Sequence, residues 1–77
     1  MLTELQIENM THALGMNQKK KHYRNYFAAY KGGEDFESWG MLVAKGYATM
    51  RLNIPSNNDI AYFHVTDEGI EALKNAI

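Results

Sequence analysis

The run Lys19, Lys20, Lys21, His22, Tyr23, Arg24 is the densest group of chemistry-bearing side chains in the sequence. Its four cations, interleaved with Tyr23 and followed by Tyr26, suit a nucleic acid. Ammonium and guanidinium groups pair with phosphates, and aromatic rings stack on bases. Arg51 would add a cation from a hairpin, with Asn57 and Asn58 as neutral donors beside it. The partner expected on these residues is DNA or RNA. The same lysines also read as a solvated connector that keeps the chain dispersed. A second group, Tyr47, Tyr62 and His64, falls with Arg51 on one face of two alternating runs. Such a patch would suit a protein partner, or a second copy of the chain paired through the hairpin edge to form a homodimer.

Other chemistry finds little support. The chain has no cysteine, which removes disulfides, thiolate metal sites and cysteine nucleophiles. His12, His22 and His64 fall on three different elements, and none belongs to a ligand-spaced motif. No metal or other cofactor is expected. There is no Gly-x-Ser-x-Gly and no phosphate loop, and Gly32-Gly33 reads as a turn. The carboxylates sit where helices begin, which accounts for them without acid–base work. The expectation is a protein that binds and does not catalyse.

The elements that must position these residues follow from patterning. At 77 residues and 8.8 kDa the chain makes one domain. Folding would bury about 63% of the unfolded surface, enough for one small core. Net charge is −1 and 45% of residues are apolar, a globular composition. No apolar run approaches the roughly 20 residues of a membrane span, and the first residues lack a secretion signal. A cytoplasmic location without a membrane partner is therefore expected.

Thr3-Glu4-Leu5-Gln6 has capping-box spacing and predicts a helix over about 3–14, stopped at Gly15. Residues 18–30 are ambiguous. Tyr23, Tyr26, Phe27 and Tyr30 recur at helical spacing, yet they are good strand formers and Asn25 is a poor helix residue. Glu34, Asp35 and Glu37 open a helix over about 34–45. Gly40 weakens its middle and would suit a close helix contact. Residues 47–54 and 60–65 alternate around Pro55-Ser56-Asn57-Asn58-Asp59, an antiparallel hairpin over about 47–65. Thr66 caps a last helix over about 66–76. The expected core is Phe36, Trp39, Val43, Met50, Leu52, Phe63, Val65, Ile70 and Leu73. The fold class is α+β.

The run from Gly46-Tyr47-Ala48 through Arg51 to Tyr62-Phe63-His64-Val65-Thr66-Asp67-Glu68-Gly69-Ile70-Glu71-Ala72-Leu73 resembles the second half of a winged-helix domain. Repressors of the MarR and PadR types end their wing in a similar way. The resemblance covers about residues 35–77 and implies a small winged-helix-like domain. The family would place a helix in the major groove and a basic hairpin on the backbone. Here the helix before the wing begins Glu34-Asp35-Phe36-Glu37, which departs from that pattern because carboxylates would meet phosphates. His22-Tyr23-Arg24-Asn25-Tyr26-Phe27, Gly33-Glu34-Asp35 and Leu42-Val43-Ala44-Lys45-Gly46 are also similar to small uncharacterised bacteriophage and prophage proteins. That likeness implies a phage or bacterial setting, in which a protein partner would be a phage or host protein, and no particular activity.

Overall fold

Thr3 opens the first helix through its side chain. In the computed structural model, which describes residues 1–16, 21–52 and 59–77, the Thr3 hydroxyl accepts from the Gln6 N–H at 3.1 Å. The Gln6 side chain accepts in return from the Thr3 N–H at 2.9 Å. This reciprocal box satisfies donors that a helix start otherwise leaves orphaned. Helix α1 runs Glu4–Leu14 and ends at Gly15, whose φ of 61° is left-handed. Helix α2 runs Glu34–Ala44, with Glu34, Asp35 and Glu37 in its first turn. Helix α3 runs Asp67–Ala76, and the Thr66 hydroxyl caps it by accepting from the Gly69 N–H.

The ambiguous segment resolves as strand β1, Phe27–Tyr30. The helical spacing of its aromatics loses because the preceding backbone is tied to other elements. The Tyr23 and Arg24 N–H groups both donate to the Leu14 carbonyl, and the Tyr26 N–H donates to that of Ala13. These bonds lead the chain extended past the C-terminus of α1. The Asn25 side chain then takes the place of one more strand residue. Its amide donates to the Val65 carbonyl at 2.8 Å and accepts from the Val65 N–H at 2.7 Å.

Strands β2, Ala48–Leu52, and β3, Ile60–Val65, form the expected antiparallel pair. Strand β1 pairs antiparallel on the other side of β3, giving the order β1-β3-β2. Among the described residues this is a small α+β domain of three helices and one three-stranded antiparallel sheet. Of the turn expected over residues 55–59, residues 55–58 lie outside the described residues. So do Asn53 and Ile54, expected to end the alternation of the first hairpin strand.

Every fully buried sheet side chain points to one face, where the helices pack. Trp39 of α2 stacks on Phe63 of β3, with centroids 5.3 Å apart and planes at 14°. It also meets Phe27 of β1 at 5.4 Å. Met10, Ala13 and Leu14 of α1, Leu42 of α2 and Leu73 of α3 complete the buried cluster. Of the expected core, Trp39, Phe63, Val65 and Leu73 are buried, while Phe36, Val43 and Ile70 pack partly exposed against it. Met50 and Leu52 are corrections, being 46% and 38% exposed. They share the inner face, but β2 is an edge strand and burial along it stops at Ala48. Without a strand beyond, its side chains lack a lateral neighbour.

The helical glycines differ in kind. No close contact explains Gly40, since nothing lies within 4 Å of where its Cβ would stand. At Gly69 a Cβ would run into the Tyr47 carbonyl oxygen, and Val65 Cγ1 would lie 2.7 Å away. Gly40→Ala should raise stability by roughly 0.5–1 kcal/mol through helix propensity. Gly69→Ala should lower it by about 1–3 kcal/mol through overpacking. Urea midpoints of the two variants, moving in opposite directions, check both. Trp39→Ala should cost about 3–5 kcal/mol, comparable to the whole stability of so small a domain. The readout is loss of a cooperative unfolding transition.

Candidate functional site

The face of the sheet opposite the helices is set by strand alternation. Since Phe27, Ala29, Ala61 and Phe63 point inward, Ala28, Tyr30, Ile60, Tyr62 and His64 point outward. On β2 the register places Thr49 opposite His64 and Arg51 opposite Tyr62. Tyr26, one residue before β1, continues the outward set. Its ring stacks on Tyr62 with centroids 5.6 Å apart and planes at 25°. Tyr26, Tyr62 and Arg51 therefore form a continuous path across all three strands.

The face stays open. Tyr26 is 52% and Tyr30 70% exposed, and Ala28, Thr49, Arg51 and His64 are exposed as well. Only Ile60 and Tyr62 of the outward set are half-buried. Chemistry also divides the aromatics between the faces. Phe27, Phe36, Trp39 and Phe63 enter the core, whereas the outward rings are tyrosines, whose hydroxyls keep one end wet.

Charge divides in the same sense. Eight of the nine carboxylates lie on the helices, the exception being Asp59 just before β3. No strand residue is acidic. Of the described lysines and arginines, only Lys74 is on a helix, while Lys21, Arg24, Lys31, Lys45 and Arg51 are on connections or strands. A net charge near zero thus conceals an acidic helical layer and an outer sheet face whose only fixed charge is positive. The acidic start of α2 does not stand between the basic segment and Arg51, because α2 packs on the inner face. One of its carboxylates, Asp35, accepts from Asn9 of α1 at 3.1 Å.

The expected site residues separate accordingly. Arg51, Tyr62 and His64 do share the outer face. Tyr47 does not, which corrects the expected patch. It precedes β2, so the alternation does not reach it, and Gly46, at φ 81°, turns the chain just before it. Its N–H donates to the Leu42 carbonyl, and its side chain packs toward the core. There it lines a groove of about 500 Å³ with Leu2, Ile7 and Ala72.

Arg24 holds the C-terminus of α1. Its Nε and Nη2 donate to the His12 carbonyl at 3.1 and 2.6 Å, and its guanidinium lies 5.4 Å from the Tyr23 ring centre. A cation there also complements the helix dipole. Lys21 is exposed just before this segment. Lys19, Lys20, Asn57 and Asn58 lie outside the described residues. Tyr26 and Tyr30 add to this face beyond the expected residues. Their signal in the sequence is the period-two pattern Tyr26-Phe27-Ala28-Ala29-Tyr30, which the helical spacing of the same tyrosines masks.

Among the described residues, no three His, Cys, Asp or Glu side chains cluster as a metal site. No helix among them is long and apolar enough to cross a membrane. No protein-family model, curated protein or solved structure matches the chain.

Asn25 positions this site, since it fixes Tyr26 and the end of the basic segment against β3. Asn25→Ala should cost about 1–3 kcal/mol by leaving the Val65 N–H and carbonyl unpaired. Faster hydrogen exchange at the Val65 amide, with a lower urea midpoint, checks it.

Proposed function

We propose that this chain is a non-catalytic nucleic-acid-binding protein that uses the outer face of its sheet and the basic segment leading into it. The observation that carries this is the path Tyr26–Tyr62–Arg51, on a face without carboxylates and backed by an acidic helical layer. A phosphate backbone is attracted to the first surface and repelled by the second, so charge orients the ligand. The likeness to phage and prophage proteins suits a small accessory protein acting in a bacterial cytoplasm.

The winged-helix likeness is kept in a reduced form. The β2–β3 hairpin stands where a wing would, and α2 is the one helix between β1 and that hairpin. Because Glu34, Asp35 and Glu37 crowd the first turn of α2, we place the ligand on the sheet and not on that helix. Arg51 would contact phosphate, and Tyr62 and His64 would lie beneath the sugars and bases. The same face is the alternative surface for a protein partner or a second copy of the chain.

Binding should be detectable by fluorescence anisotropy of a labelled oligonucleotide at low salt and weaken steeply as salt rises. Arg51→Gln should weaken it uniformly across sequences and flatten the logarithmic salt slope by about 0.7–0.9. Absence of binding at low salt would overturn the proposal and leave the face to a protein partner.

A further inference from the structure

We infer that the ligand of this face is a single strand, with unpaired bases stacked on Tyr26, Tyr62 and Tyr30. The inference rests on the nucleic-acid proposal and narrows it to one substrate class.

Shape is the first reason. Neighbouring strands lie roughly 4.8 Å apart, so three strands present a backbone platform about 10 Å across, wider once side chains are added. The major groove admits a helix or a two-stranded ribbon. A three-stranded sheet backed by helices is broader than that ribbon. In a duplex the bases are stacked on one another and offer only their edges to the grooves, so the tyrosines would have no base face to stack on. An unpaired strand offers the flat faces of its bases.

The second reason is the placement of the rings. Tyr26 and Tyr62 already form an offset stack, yet Tyr26 stays 52% exposed, so ring surface remains available. Tyr30 is 70% exposed on the same side of the chain. Four residue steps of extended chain lead from Tyr26 to Tyr30, roughly 14 Å. That span accommodates two or three nucleotides, one base near the Tyr26–Tyr62 pair and another on Tyr30. Arg51, opposite Tyr62 on the strand beyond β3, is placed to meet the backbone of the same nucleic-acid strand to the side of the Tyr26–Tyr62 pair. Stacking of this kind tolerates any base, because every base has a π-face. The expected preference is for unpaired over paired DNA, with little dependence on sequence.

The test compares a labelled ten-nucleotide thymidine strand with a ten-base-pair duplex of mixed sequence, by anisotropy at low salt. The single strand should bind at least about tenfold more tightly. Tyr30→Ala should weaken single-strand binding by about 5- to 150-fold, while Tyr30→Phe stays within about twofold of the parent. Tyr30 is exposed enough for both variants to keep the fold, which circular dichroism verifies. In the unaltered protein, the ring protons of Tyr26, Tyr30 and Tyr62 should move upfield as the strand is added. Equal affinity for strand and duplex, or a Tyr30→Ala variant that binds normally while Arg51→Gln does not, would overturn the stacking inference. Either result would leave backbone binding intact. Binding to neither probe would overturn both proposals.

Discussion

The stack of Trp39 on Phe63 is the contact on which the arrangement turns. It joins α2 to the central strand, and the meeting of Trp39 with Phe27 extends it to β1. Strand alternation is strict, so seating Phe63 against Trp39 sends Tyr62 and His64 to the opposite side. The two neighbouring strands inherit the same choice through their register. The burial of one ring thereby commits Tyr30 and Arg51 to solvent. Large aromatics dominate the energetics of small cores, and here they also decide which face is left for a ligand.

A second constraint keeps the open face usable. Segment 21–26 carries charged and aromatic groups that would be poorly placed if they were loose. Bonds from Tyr23, Arg24 and Tyr26 to the end of α1, and the two-way pairing of Asn25 with Val65, hold it at the edge of the sheet. These polar contacts satisfy backbone groups that a helix end and a strand end would otherwise leave unpaired. The same bonds that close the fold therefore deliver Tyr26 to Tyr62. Positioning the site and completing the backbone hydrogen bonding are one set of interactions.

Much of this was legible in the chain. The capping box at Thr3 and Gln6, the cap at Thr66 and the acidic opening of α2 are local signals, and the helices begin where those residues place them. The hairpin strands also follow their alternation. The errors lie where a local pattern meets a long-range contact. Tyr23, Tyr26, Phe27 and Tyr30 fit a helical stripe, but Asn25 reaches Val65 across 40 residues of sequence. Met50 and Leu52 alternate as core residues do, but an edge strand has a neighbour on one side only. Tyr47 fits the alternation of β2 by count, but the strand begins one residue later.

The sequence by itself determined the helices, the hairpin, their caps and the α+β class, because capping, periodicity and turn chemistry act over a few neighbouring residues. Only the tertiary structure decided that residues 27–30 are a strand and that this strand pairs with β3. It alone decided that Tyr26 joins Tyr62 and Arg51, which the alternation already places on one face. It also turned a net charge of −1 into an acidic helical layer and a sheet face free of carboxylates. Those outcomes depend on which faces are buried together. Burial is settled by contacts between residues distant in sequence, and no local pattern encodes it.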